Sequence, residues 1–152
     1  MTEKTIKRQS IIPRLDGIQH DVGKLHELGQ LPLKEFILED NFIKAQFYLR
    51  RALEGVFNIG AHILSRIPGG RVTEYKSVAV KLGEFKIVDQ NFANTSLKSM
   101  AGYRNRLTHF YADIVPEEIY QIIKENLADF ERFSKFIQSV ISDPKAFDLE
   151  VE

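Results

Sequence analysis

The sequence predicts an all-α protein, and three observations support this fold class. Apolar residues recur at spacings of three and four along most of the chain, whereas alternation with a period of two is never sustained. Hydrophobic residues make up 43% and charged residues 28% of the 152 residues, a composition typical of a globular chain. Proline and glycine divide the chain into helix-sized segments. We therefore predict one domain, a bundle of four to five helices over residues 11–142.

The first two predicted helices are bounded by clear stop signals. The first covers residues 11–28, and Gly29 follows at a position where glycine often ends a helix. The second runs from Leu33 to about Ile67 without a proline and has an apolar stripe along it. The sequence Pro68-Gly69-Gly70 ends it.

Three further helices complete the predicted bundle. Thr73 is the expected N-cap of a short helix that ends near Leu82. A fourth helix covers Ala93 to His109. The last begins at Pro116, where proline suits the first turn, and its apolar residues follow one face as far as about Ile141.

Composition restricts the functional classes. Lys plus Arg and Asp plus Glu both total 21, so bulk charge does not indicate a nucleic-acid partner. The absence of cysteine excludes disulfides and thiol catalysis. The basic residues of the first ten positions are not followed by an apolar segment, and no apolar run reaches about 20 residues. We therefore expect no signal peptide and a soluble, cytoplasmic protein without a membrane partner. The terminal segments, residues 1–10 and the acidic 143–152, are predicted to be flexible tails.

The four histidines do not form a metal-binding pattern. His20 and His26 are six residues apart and would lie on different sides of a helix, and no His-x3-His pair occurs. We therefore expect neither a metal nor a cofactor.

The segment AGYRNRLTHFYADI, residues 101–114, concentrates groups that suit RNA cleavage. On a helix, Asn105 and His109 lie one turn apart on one face, and Arg104 and Tyr111 lie on an adjacent track. A guanidinium binds phosphate bidentately, and an imidazole can accept or return a proton near neutral pH. RNA supplies its own nucleophile, the ribose 2′-hydroxyl. Spacing alone favours the simpler interpretation, an ordinary helix end that carries a surface arginine, a capping Asn-His pair and a core-facing tyrosine.

The motif Arg104-x4-His109-x-Tyr111 resembles the signature of HEPN-domain proteins, specifically of the HepT-like toxin family. The lead-in MAGYRNRLTHFY is similar to that of the family. The segments LEDNFIKAQFYLRRALEGVFNIGAHIL and RVTEYKSVAVKL resemble its long second helix and the short helix that follows. The resemblance extends from about residue 9 to residue 141.

This resemblance implies an all-α homodimer with a metal-independent ribonuclease site at the dimer interface. It also implies a type VII-like toxin whose nucleotidyltransferase antitoxin adenylylates the motif tyrosine. By position, Arg104 and His109 would be catalytic, Asn105 supporting and Tyr111 the modified residue. Phe110 occupies a position that is often small in relatives and could narrow the cleft.

Two other functions stay open. The chain could be a non-catalytic, substrate-binding subunit that partners a minimal nucleotidyltransferase, which its zero net charge mildly favours. It could also be a purely structural helical dimer.

Overall fold

The computed structural model describes residues 5–152, apart from the side chain of Tyr111. Its two longest helices, α1 (Arg8–Gly29) and α3 (Glu39–Ser65), form the most extensive helix pair of the bundle. The other helices are α2 (Leu33–Phe36), α4 (Tyr75–Glu84), α5 (Gln90–Phe92), a π-helical turn (Ala93–Leu97), α6 (Lys98–His109), α7 (Pro116–Glu125) and α8 (Ala128–Ser142), with 3₁₀ turns at Tyr111–Asp113 and Pro144–Phe147.

The core lies between the apolar faces of these helices, as the spacing of three and four predicts. Phe57, Phe92 and Phe133, from α3, α5 and α8, are completely buried. Burial of each such ring contributes about 1.5–3 kcal/mol to folding. No helix in the described residues is both long and apolar enough to cross a membrane.

The structure divides two helices that the sequence predicts as continuous. Leu38 is extended, with φ −62° and ψ 143°, and separates α2 from α3. The separation lets Phe36 of α2 turn into the core, where its ring lies 4.9 Å from that of Tyr120. The predicted last helix divides at Asn126 into α7 and α8, and both parts keep an apolar face toward the core.

Two details before α6 also differ from expectation. Thr73 is not an N-cap, because α4 begins at Tyr75 after an extended Glu74 and no side-chain cap is present. The predicted fourth helix ends at His109 as expected but starts earlier, at Gln90, and contains the π-helical turn. A π turn inserts an extra residue into the helical repeat and so changes which residues of α6 face the core.

Both segments that the sequence predicts as tails contain short regular elements in the described residues. Strands β1 (Thr5–Ile6) and β2 (Glu150–Val151) pair in parallel, and Ile6 is completely buried. Arg66, just after α3, donates from Nε to the carbonyl oxygen of Thr5 at 2.9 Å. Residues 1–4 lie outside the described part of the chain. Strands of two residues are too short to show a period of two, so the sequence does not reveal them.

A glycine-to-alanine pair tests the packing of α3 against α4. A Cβ atom on Gly60 would lie 2.9 Å from Cδ1 of Leu82 and 3.0 Å from Cγ1 of Val78, whereas one on Gly23 in α1 would meet no atom within 4 Å. We expect Gly60→Ala to lower the free energy of unfolding by about 1–3 kcal/mol, because the helices must separate. Gly23→Ala should raise it by about 0.5–1 kcal/mol. Urea unfolding measures the free energy of unfolding of both variants. Equal changes in the two would contradict the close approach of α3 to α4 at Gly60.

His62, near the end of α3, anchors the N-terminal segment. Its Nε2 accepts a hydrogen bond from the backbone N–H of Lys7 at 3.1 Å. Burial, together with the nearby charges of Arg66, Arg14 and Lys7, lowers the pKa of His62 from 6.5 to about 4. The imidazole is therefore neutral at pH 7, as an acceptor must be.

This arrangement makes stability depend on pH. Because the folded pKa of His62 is below the unfolded value of about 6.5, its contribution is complete above pH 6.5 and is lost as pH falls toward 4. We expect the free energy of unfolding to fall between pH 7 and pH 5 in the unmodified protein. The decrease should be smaller in His62→Gln, whose amide oxygen still accepts the bond but does not titrate. If the free energy of unfolding fell equally in the two proteins between pH 7 and pH 5, this role would be contradicted.

Candidate functional site

Helix α6 carries the predicted catalytic residues and packs against α3 and α4. His109 is its last residue, because Phe110 leaves the helical conformation with φ −131° and ψ 32°. The backbone then forms the 3₁₀ turn that begins at Tyr111. The motif therefore occupies the exposed end of a helix whose other side contributes to the core.

Arg104 is largely enclosed, with 14% of its side chain exposed. Its guanidinium carbon lies 4.1 Å from the ring centroid of Tyr75, the first residue of α4. Nη2 lies 4.0 Å from Oε1 of Glu54 on α3. Nε is buried and has no hydrogen-bond partner in the described residues. The cation is thus held in place while part of its hydrogen-bonding capacity is unused.

Arg106 has a different, structural role. Its guanidinium donates two hydrogen bonds to Glu118 of α7, at 2.5 and 3.0 Å, and the hydroxyl of Tyr103 donates to the same carboxylate at 2.8 Å. The bond from Arg106 lowers the pKa of Glu118 and raises that of Arg106. Burial raises the pKa of Tyr103. Arg106 therefore joins α6 to α7.

His109 and Phe110 form the outer edge of the site. The His109 side chain is exposed, and its ring lies edge-on to that of Phe110 at 6.5 Å. Phe110 is 60% exposed, which is unusual for a large apolar side chain. The imidazole is accessible to a ligand that approaches from solvent.

Asn105 is partly buried and lines a shallow cavity of about 370 Å³ together with Lys76, Tyr103 and Phe110. The structure contains no hydrogen bond between Asn105 and His109 among the described residues. The side chain of Tyr111 lies outside the description, and its predicted role as a modification site stays a prediction. Within the described residues, no group of three metal-ligating side chains occurs.

The sequence did not identify Glu54 and Tyr75 as parts of this site. They come from α3 and α4, and only the packing of those helices against α6 brings them to Arg104. Neither residue lies in a motif of its own. Their role is visible only in the folded chain.

Comparison with known proteins agrees with the fold and the predicted family. A family model described as "Ribonuclease HepT-like" matches residues 18–137. The chain is 25% identical over 130 residues to a tRNA nuclease HepT from Aphanizomenon flos-aquae. The aligned region covers 84% of this chain and 87% of the relative.

Two solved structures have the same fold. A tri-AMPylated HEPN toxin from Shewanella oneidensis, in complex with an MNT antitoxin, superposes with a TM-score of 0.74 at 21% identity. The superposition covers 85% of this chain and 96% of the toxin chain. The cytosolic protein YutE from Bacillus subtilis superposes with a TM-score of 0.76 at 20% identity, over 90% and 92% of the two chains.

Fold and comparisons together define an all-α protein of the HEPN type. The chain belongs to the HepT-like ribonuclease family, whose model matches most of its length. The predicted family, the predicted all-α fold and the predicted endoribonuclease class are confirmed.

Proposed function

We propose that this protein is a metal-independent endoribonuclease toxin in which Arg104 and His109 act on the scissile phosphate. One observation carries the proposal. The guanidinium of Arg104 is fixed by Tyr75 and Glu54, and its helix ends at an exposed His109. A fixed cation and an accessible imidazole are the two groups that cleavage by the ribose 2′-hydroxyl requires.

The proposed reaction forms one bond and breaks another at the same phosphorus atom. The 2′-oxygen attacks, the bond to the 5′-oxygen of the next nucleotide breaks, and a 2′,3′-cyclic phosphate results. Arg104 binds the non-bridging oxygens and stabilises the charge that develops there. His109 accepts the proton of the 2′-hydroxyl or donates one to the departing 5′-oxygen. Asn105 is proposed as a supporting polar residue that orients bound RNA.

A homodimer would divide these proton transfers between two histidines. A single imidazole cannot be base and acid at the same moment, whereas a two-fold axis beside the motif brings two His109 side chains together. Phe110, within the motif, and Val115, just after it, are 60% and 53% exposed and give this surface an apolar character. Sedimentation as a monomer at micromolar concentration would contradict the composite site.

The relative named tRNA nuclease suggests tRNA as the RNA class. The decisive experiment incubates a purified tRNA pool with the protein in EDTA and identifies the product termini. We expect cleavage that EDTA does not reduce and products that carry a 2′,3′-cyclic phosphate. Cleavage that requires an added divalent cation would contradict the mechanism. Binding of the tRNA without cleavage would instead support the non-catalytic, substrate-binding subunit.

We propose a nucleotidyltransferase antitoxin as partner, and Tyr111 as the residue that it adenylylates. The solved relative that is AMPylated and bound to an MNT antitoxin supports this pairing. Tyr111 directly follows Phe110 and lies two residues after His109, so an added nucleotide would carry negative charge into the site. We expect the intact mass to rise by whole AMP units on co-expression with such a partner. Tyr111→Phe should abolish the increase, and an unchanged increase would exclude Tyr111.

A further inference from the structure

We infer that Tyr75 is a positioning residue whose ring holds the Arg104 guanidinium in the orientation that binds phosphate. This inference rests on the proposed function, because it assigns a role toward the same catalytic cation. Tyr75 itself need not touch RNA.

The contact geometry supports this role. The guanidinium carbon lies 4.1 Å from the Tyr75 ring centroid, the closest of the arginine–ring contacts in the described residues. At this distance the negative face of the ring attracts the cation, and the attraction strengthens when water is excluded. Since only 14% of the Arg104 side chain is exposed, most of this contact is shielded from solvent.

Tyr75 is itself held in place. Its ring meets that of Phe57 edge-on at 5.5 Å, and Phe57 is completely buried in α3. The ring therefore connects the core to the catalytic cation. An arginine has several rotatable bonds, so a rigid ring beneath it reduces the entropy that phosphate binding must overcome.

The remaining contacts leave Arg104 able to accept a phosphate. Glu54 lies at 4.0 Å, which is an ion pair at the limit of direct contact and not a short bidentate bond. Nε of Arg104 is buried, and its two terminal nitrogens form no hydrogen bond within the described residues, whereas both terminal nitrogens of Arg106 donate to Glu118. Tyr75 thus fixes the cation through its ring face without occupying the N–H groups that phosphate would use.

The first test separates the ring from the hydroxyl. Single-turnover cleavage of a tRNA pool should be about 10-fold slower in Tyr75→Leu, because the ring is lost, and within about 3-fold of normal in Tyr75→Phe, which keeps the ring. Tyr48→Leu is the matched control. The Tyr48 ring also lies beneath an arginine, Arg51, at 5.9 Å but on the α1–α3 side, and its loss should leave the rate unchanged.

A double-mutant cycle separates positioning from a general loss of structure. In an Arg104→Lys background, Tyr75→Leu should slow cleavage by less than about 3-fold, because the group that it positions is no longer present. The full 10-fold loss in that background, or equal losses in Tyr75→Phe and Tyr75→Leu, would overturn the inference. Full activity in Arg104→Lys would instead contradict the proposed function.

A readout independent of cleavage completes the test. The guanidinium carbon of Arg104, to which Nε is bonded, lies 4.1 Å from the Tyr75 ring centroid, so we expect the ring current to shift the Nε–H resonance in the unmodified protein and in Tyr75→Phe. The resonance should return to the ordinary arginine range in Tyr75→Leu. An unshifted resonance in the unmodified protein would refute the contact, whatever the activity. Circular dichroism and thermal unfolding of Tyr75→Leu establish that it is folded, and Tyr75→Met replaces it if it is not.

Discussion

His109→Ala is expected to lower the rate of RNA cleavage by about 10²–10⁴-fold, the range in which a general acid–base group contributes. The imidazole is exposed at the end of α6 and lies beside the Phe110 ring, which is itself 60% exposed. Its removal should therefore cost little stability. Initial rates on a tRNA pool, measured with matched thermal unfolding curves, provide the comparison.

The control for this variant is His26→Ala. His26 is also exposed on a helix, but on α1, away from the motif, so its loss should change neither rate nor stability. His62 is not a suitable control, because its ring accepts the Lys7 N–H and its loss affects folding. A folded His109→Ala protein that cleaves at the full rate would exclude the proposed acid–base role.

The apolar pattern was sufficient to predict the fold class, because most helices bury one face. Ile119 and Ile123 of α7, and Phe130 and Phe133 of α8, are buried at the predicted spacing. The pattern did not locate the break at Asn126, since no proline or glycine stands there. That break depends on how the two helices pack, and periodicity within one segment does not contain this information.

The same limitation applies to the other differences. The separation of α2 from α3 follows from the contact of Phe36 with Tyr120, two residues that are distant in the sequence. The pairing of the chain termini depends on two strands of two residues each. Long-range contacts of this kind leave no local signal.

For the site, the sequence identified a motif but did not distinguish the two arginines within it. Arg104 and Arg106 are two residues apart, so they point to opposite sides of α6, about 200° around its axis. Arg104 contacts Tyr75 and Glu54, whereas Arg106 forms an ion pair with Glu118. The resemblance to the family selects Arg104. The structure supplies a physical reason for that choice, because the guanidinium of Arg106 already donates two hydrogen bonds to Glu118.

This difference leads to the second large expected effect. Arg104→Ala should lower the cleavage rate by about 10²–10³-fold, the cost of removing a fixed donor to the charge that develops in a transition state. Arg104→Lys keeps the charge but not the planar fork, so it should recover only part of the rate. The measurement is single-turnover cleavage of a tRNA pool, which reports chemistry without product release.

Two other arginines serve as controls because each has a defined partner elsewhere. Arg132 on α8 lies over the Phe92 ring at 4.7 Å and pairs with Asp129 at 3.7 Å, so Arg132→Ala removes a stacked, paired cation remote from the motif. Its rate should be unchanged. Arg106→Ala should lower the thermal unfolding temperature, since it breaks the link between α6 and α7, while it reduces cleavage much less than Arg104→Ala. Cleavage depends on the cation that contacts the scissile phosphate. If Arg106→Ala abolished cleavage and Arg104→Ala did not, Arg106 would therefore be the phosphate-binding residue.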